Sequence, residues 1–393
     1  MYRIATYNQI AAAGIARFPK DAFRVAAELA HPEAILLRSH PLHDMQIPEP
    51  LLAVARAGAG VNNIPIDRLS DAGIAVFNTP GANANAVREL VLSGLLMVAR
   101  NLGPAWQFVH QLEGDGETYA RAIESAKKRF VGRELPGRAL GVIGLGAIGV
   151  LVANAAQALG MRVIGHDPHL TVAGALRLSS SVEQAASLEA LLEEADFVTL
   201  HVPLLDSTRH LINAERLAMM RPESVLLNFA RGGIVDQKAL LAALDGRRLS
   251  AYVTDFPSRE LAGNERVLGL PHLGASTGEA EENCAVMAIE QLVDYLEHGS
   301  VVNSVNFPQM RLKTHLGPRL CVANRNRPDM VGQISHIIGA AGINISAMRN
   351  ESRADLAYTV LDLDASPQAA ALEQIQRIDG ILRVRVLNRR QHA

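Results

Sequence analysis

The sequence has 393 residues, enough for two or three domains with cores of their own. Hydrophobic residues make up 49% and charged residues 20%, a globular composition that excludes a disordered chain. A formal net charge of −2 gives no overall attraction to nucleic acid or an anionic membrane, so neither is expected as a partner.

Two cysteines occur, Cys284 and Cys321, and no Cys pair has metal-ligand spacing. A disulfide framework and a metal site are therefore not expected. The start, "MYRIATYNQIAAAGIARF", lacks the basic and long apolar segments of a signal peptide, and "ELVLSGLLMVAR" is too short to span a bilayer. The expected location is the cytoplasm.

In chain order, "RIATYNQI", "AILLRS", "LLAVARAGAGV" and "IAVFNTPG" are short apolar runs closed by polar or glycine signals. They alternate with helix-like stretches such as "DAFRVAAELA" and "IPIDRLSDAG", which predicts βα units and a parallel sheet. One long helix is predicted from about Asn85 through "QFVHQL". From Ala139 the alternation resumes with six strands, as in a doubly wound nucleotide domain. A return helix, "GEAEENCAVMAIEQLVDYLEHG", leads to "SVVNSVNFPQM" and a linker, "RLKTHLGPRL". The remainder reads strand, helix, strand, strand, helix, strand, a ferredoxin-like βαββαβ unit. The fold class is thus α/β, two Rossmann-like parallel-sheet domains plus that module. The boundaries are 1–96 with 280–310, 97–279, and 318–393.

The segment "ALGVIGLGAIGVLVANAAQALGMRVIGHDP" carries the first chemistry. Gly144 allows a sharp turn from strand to helix. Gly146 lets a pyrophosphate approach the backbone, and Gly149 lets helix and strand pack closely. The helix N-terminus offers free N–H groups to the phosphates. Asp167, eighteen residues after Gly149, can bond a ribose diol and repels a 2′-phosphate, so the cofactor is NAD and not NADP. Three further residues follow strands. Arg231 can grip a carboxylate in two places. His272 is suited to proton exchange near neutrality, and Glu260 beside it would orient the ring and favour the imidazolium.

Together, "GLGAIG", "HVPLLDSTRHLI", "NFARGGIVD", "PHLGAST", "ARAGAGVNNI" and "VFNTPGANANAV" make the chain resemble the D-isomer-specific 2-hydroxyacid dehydrogenases. The resemblance covers nearly the whole chain, and the last module resembles an ACT regulatory domain. It implies an NAD-dependent enzyme with Arg231, Glu260 and His272 as its catalytic residues. Ala147 and Ile148 would lie along the pyrophosphate. Thr79, Val202, Phe229, Ala230, Asp255 and Gly274 would also face the cofactor, with Asp255 near the nicotinamide amide. The backbone of Gly58, Ala59, Gly60 and Val61 would hold the substrate carboxylate, with Asn83 nearby and Arg56 reading a phosphate. The run Lys127 to Arg129 would add positive charge, from a neighbouring subunit. The implied substrate is a small phosphorylated 2-hydroxy acid. The alternatives are a glyoxylate or hydroxypyruvate reductase and, in another class, an NAD(H)-sensing binding protein. Asn324, Asn326 and Asn344 match an amino-acid effector site, and the assembly would be a homodimer or homotetramer. Deleting the chain from about Leu316 is expected to spare activity.

Overall fold

Five short aliphatic runs build the first sheet. In the computed structural model of the protein, which describes residues 1–27 and 29–388, these are β1 (Tyr2–Tyr7), β2 (Phe23–Ala26), β3 (Ala34–Leu37), β4 (Ala53–Arg56) and β5 (Ala75–Phe77). They are parallel, in the order β2-β1-β3-β4-β5. The helices α1 (Ala12–Ile15) and α2 (Ile66–Asp71) lie between them in sequence. Strands β3 to β5 are buried almost throughout, as parallel strands covered on both faces must be.

Within the stretch "DAFRVAAELA", Phe23–Ala26 are a strand and not a helix. Phe23 and Val25 alternate with Arg24, and this period of two pairs β2 with β1, Tyr2 against Phe23. Sheet pairing overrides the helix-forming alanines around it.

The long helix predicted from Asn85 is also two helices, α3 (Ala84–Ala99) and α4 (Leu102–Gln111). Asn101 breaks it in a left-handed conformation, φ 52°, and its amide donates to the Val131 carbonyl at 3.0 Å. Pro104 falls in the first turn of α4, where its missing N–H leaves no helical bond unmade. Next come α5 (Gly116–Ala126), β6 (Ala139–Ile143), α6 (Ala147–Ala158), β7 (Arg162–His166), α7 (Val172–Ala175), β8 (Glu183–Gln184), α8 (Leu188–Glu194) and β9 (Phe197–Leu200). The unit continues through α9 (Ala214–Met219), β10 (Ser224–Asn228), α10 (Gln237–Asp245), β11 (Leu249–Thr254), α11 (Arg259–Ala262) and β12 (Val267–Gly269). Its seven strands run in the order β12-β11-β10-β9-β6-β7-β8. This is the doubly wound dinucleotide topology with one added strand. Strand β8 is missing from the expected six because two residues carry no readable period.

The 21-residue helix α12 (Gly278–His298) leads to β13 (Arg319–Arg325), α13 (Met330–Ala340), β14 (Ile345–Arg353), β15 (Leu356–Leu363), α14 (Ala369–Gln376) and β16 (Ile381–Leu387). The last four strands form an antiparallel sheet, β14-β15-β13-β16, the ferredoxin-like order. Residues 389–393 of the expected module lie outside the described residues.

The chain divides into two compact units, residues 1–82 with 278 onward, and residues 83–277. The C-terminal module belongs to the first unit. On β13, Leu320 and Val322 face a core made with Ile334, Ile338 and Ile375 of its own helices. Cys321 and Ala323 instead join the core of the first sheet, with Leu292, Leu296 and Phe307.

Candidate active site

In the second unit, the three glycines meet three separate local demands. Gly144 has φ 92°, and a Cβ there would lie 2.8 Å from His201 backbone. A Cβ on Gly149 would sit 1.9 Å from the Gly144 carbonyl oxygen, so helix α6 rests directly on the turn. Nothing lies within 4 Å of a Cβ on Gly146, so the space there is open to a ligand. Helix α6 begins at Ala147, and its first N–H groups, including that of Ile148, point out of its N-terminus. Val202 packs against Gly144.

Asp167 ends β7. Its carboxylate accepts from the Leu145 N–H and the His169 N–H, both at 2.8 Å. It therefore braces the glycine turn from below while keeping lone pairs for a ribose.

Asp255 is 1% exposed. One oxygen accepts from the Gly274 N–H at 3.1 Å; the other is buried without a partner. Burial pushes its carboxyl above the ordinary carboxylate range. An orphaned buried acceptor is costly, and a nicotinamide amide placed there would satisfy it. The open space at Gly146, the helix N-terminus and this acceptor together fit NAD. Phe229 packs inward toward the position of Gly94, and the Ala230 N–H donates to the Asn228 side-chain oxygen at 3.2 Å.

Arg231 and His272 meet on a side chain that the sequence did not mark. The Arg231 guanidinium carbon lies 5.8 Å from the Phe256 ring centroid, and the His272 ring centroid lies 4.6 Å from it. Phe256 is a shared platform for cation and imidazole. It directly follows Asp255, and a lone aromatic after a strand carries no functional signal. Arg231 is further held by its own fork, which donates to the Ala230 carbonyl at 2.6 Å. Glu260 is not brought to His272. Its carboxylate accepts from the Gln237 amide at 3.2 Å, and its own backbone N–H, Ser258 and Gln237 hold its carboxyl below the usual range.

His201, half-buried with its ring nitrogen Nδ1 enclosed, follows β9. Burial lowers its pKa to about 3, so the ring is neutral, and Nε2 lies 3.0 Å from the Thr199 hydroxyl. Asn83 caps α3, with a buried side-chain oxygen that has no partner.

In the first unit, Gly58 has φ 157°, and the Thr79 N–H donates to its carbonyl at 3.1 Å. Thr79 is fully buried there. Arg56 donates from Nε to the Arg38 carbonyl at 2.7 Å and from Nη1 to the Gly60 carbonyl. Two of its donors thus tie the Gly58–Val61 loop to the end of β3. Asn63 adds to the tie, donating to the Arg38 and His40 carbonyls at 3.3 and 2.8 Å. Sequence reasoning passed over Arg38. Its guanidinium pairs with Glu281 of α12 at 2.6 Å, and the charges of Arg38 and Arg56 both reach the Cys284 thiol.

Asn324 and Asn326 line a cavity of about 120 Å³ with Arg327, Asp329 and Asn350. Asn344 lies outside it; its backbone bonds to Asp364. Asn350 takes its place: the Thr359 hydroxyl lies 2.8 Å from its side-chain oxygen and 3.2 Å from that of Asn324, between the two strands. Lys127 to Arg129 form an exposed turn, where Lys127 pairs with Glu124 and Arg129 stacks on Phe108. Among the described residues, no cluster of His, Cys, Asp or Glu could hold a metal ion, and no helix is long and apolar enough to cross a membrane.

Comparison with known proteins agrees with this geometry. Residues 92–276 match the family model described as D-isomer specific 2-hydroxyacid dehydrogenase, NAD binding domain. The chain is 34% identical over 380 residues to D-3-phosphoglycerate dehydrogenase of Haemophilus influenzae, covering 93% of this chain and 89% of that one. It is 38% identical to hydroxypyruvate reductase of Thermotoga maritima over 62% of this chain and 76% of the relative. An NAD+-bound 3-phosphoglycerate dehydrogenase structure from Entamoeba histolytica superposes with TM-score 0.62 at 26% identity, covering 77% of this chain and 99% of that one. With its dinucleotide turn, its orphaned Asp255 acceptor and its Arg231–Phe256–His272 cluster, the chain belongs to the D-isomer specific 2-hydroxyacid dehydrogenases and is an NAD-dependent enzyme.

Proposed function

We propose that the enzyme oxidises D-3-phosphoglycerate to 3-phosphohydroxypyruvate, the entry to the phosphorylated route to L-serine. The observation that carries this reading is the pair Arg38 and Arg56 beside the Gly58–Val61 loop. Two cations at the edge of a carboxylate-binding loop suit a substrate with a carboxylate at one end and a phosphate at the other.

The loop's backbone takes the carboxylate, and Arg231 polarises the C2 oxygen. His272 removes the hydroxyl proton. NAD, which the β6–α6 turn and Asp255 would hold, would supply the hydride acceptor for C2. Phe256, packed against both, limits the motion of the Arg231 and His272 side chains, and Glu260 would have to leave its bond with Gln237 to partner the imidazolium.

The test compares NAD reduction with 3-phosphoglycerate, D-glycerate and D-lactate, and NADH oxidation with hydroxypyruvate. Preference for 3-phosphoglycerate is expected. A higher kcat/KM for hydroxypyruvate would establish the reductase reading that the Thermotoga maritima relative favours.

The cavity at Asn324 and Asn326 is read as an amino-acid effector pocket. Asp329 on its rim puts a negative charge where an amino-acid carboxylate would lie, so micromolar serine is expected not to inhibit. The exposed apolar side chains of α4, with Trp106 64% exposed, are read as the contact with a second copy.

A further inference from the structure

The last four carbonyls of an α-helix have no partner within the helix. In α12 these belong to Tyr295, Leu296, Glu297 and His298; the Gly299 N–H just past the helix donates to Tyr295 at 2.9 Å, and Tyr295, Leu296 and His298 each receive a side-chain donor. Arg385 of β16 donates to Tyr295 at 2.7 Å, and Arg319 of β13 donates to His298 at 2.7 Å. His315 of the linker places Nε2 3.3 Å from the Glu297 carbonyl, and Tyr2 donates to Leu296 at 2.7 Å. Two of the three side-chain donors therefore come from the C-terminal module, Arg385 and Arg319. Both are permanent cations at the negative end of the helix dipole.

The grip is specific. Arg385 lies 4.2 Å over the Tyr295 ring, and burial keeps the Tyr295 and Tyr358 phenols and the Cys321 thiol around it neutral. Arg319 is locked from the other side by both oxygens of Asp362, at 2.5 and 3.0 Å.

Helix α12 is about 30 Å long at the usual rise per residue. Its first turns carry the contacts that reach the substrate loop. Glu281 pairs with Arg38, whose carbonyl anchors Arg56 and through it Gly60. Cys284 faces Thr79, whose N–H holds Gly58. Ala285 meets Gly14 so closely that a Cβ there would lie 2.5 Å away, so the helix has little room to slide without disturbing α1.

We propose that Arg319 and Arg385 are positioning residues: by holding the carbonyl end of α12 they fix, at its other end, the Arg38–Glu281 pair and the Gly58–Gly60 loop. Substrate affinity then depends on the C-terminal module of the same chain. The kinetic consequence rests on the reading of that loop as the substrate site; the mechanical one does not.

The test uses full-length Arg385→Met and Arg385→Lys. Amide hydrogen exchange without substrate should quicken in the Met variant at residues 295–299 and also at 278–284 and 58–63. It should stay unchanged at 139–166. The Lys variant should lie between Met and wild type. The KM for 3-phosphoglycerate should rise roughly three- to tenfold in the Met variant, with kcat within about twofold. Arg325→Ala cuts a different tie of the module, to Asp71 of α2, and should leave exchange at 278–284 unchanged. Faster exchange confined to 295–299 would overturn the proposal, as would an equal response to Arg325→Ala. If Arg385→Met does not fold, Arg385→Lys carries the same comparison and the same overturning outcome. A wild type that ignores 3-phosphoglycerate would sink the substrate reading while the exchange result still decides the coupling.

Discussion

Arg56 and Arg38 divide two tasks between them. Arg56 spends Nε and Nη1 on carbonyls of the substrate-binding corner, so its removal loosens the loop for every substrate. Arg38 holds no carbonyl of the loop, and its charge meets a single surface-accessible carboxylate, Glu281. Arg38→Ala is therefore expected to raise the KM for 3-phosphoglycerate roughly tenfold more than that for D-glycerate, which rises only through the lost Glu281 pair. Arg56→Ala should raise both. Steady-state kinetics with the two substrates checks this, and the reverse pattern would return the phosphate to Arg56. Asp255 gives a second test. Its folded pKa lies above the ordinary value because of burial, so the native state binds the proton more tightly than the unfolded chain. Stability then falls as pH rises through that window, and at neutral pH the buried charge is a cost. Asp255→Asn should raise the melting temperature at pH 7 and flatten this pH dependence. It should also weaken NAD binding roughly ten- to hundredfold, because an amide N–H replaces the free acceptor. Calorimetry and NADH fluorescence titration measure the two effects. Of these residues, Asp255 and Arg56 were legible from their motifs. Arg38, Phe256 and Asn350 were not, because their roles come from neighbours far away in sequence.

At the level of elements, the turn between β6 and α6 was readable because each glycine answers a demand set within a few residues. That makes its variants predictable. Gly149→Ala would drive a Cβ into the Gly144 carbonyl at 1.9 Å, so the turn must open and the domain should lose several kcal/mol, on the order of an overpacked core site. Gly146→Ala meets nothing within 4 Å and should leave the melting temperature near wild type while weakening NAD binding. Equal losses of stability would mean that the open space at Gly146 is not kept for a ligand. Where elements were misread, the deciding contact was distant. The alanines around β2 favour a helix, yet Phe23 and Val25 face the first core and pair with β1. The break at Asn101 depends on the carbonyl of Val131, thirty residues on.

On the scale of the molecule, the C-terminal module is less separable than its sequence implies. A linker with Gly and Pro, followed by a complete βαββαβ unit, reads as a detachable regulator. The outer face of its sheet is instead part of the first unit's core. Phe307, 1% exposed, packs 6.3 Å from the Tyr358 ring, and Gly299 and Gly73 meet Cys321 and Arg383 so closely that neither position has room for a Cβ. Arg353 and Arg383 add bonds to the carbonyls of Ser304 and Ala72. Uncovering a large buried apolar side chain costs about 1.5–3 kcal/mol, and a domain holds only about 5–15 kcal/mol in all. Loss of the cover over Phe307, Leu292 and Leu296, together with the donors on the end of α12, reaches that scale. Deleting the chain from Leu316 is therefore expected to unfold the first unit and abolish turnover, in place of the retained activity that the sequence implies. The second unit has a core of its own, built around β6 and β10, and should stay folded and still bind NADH. Circular dichroism, NADH fluorescence and NAD reduction on the truncated chain measure the three outcomes. A truncated protein that turns over normally would show that the module's face is a lightly held cover and not a shared core.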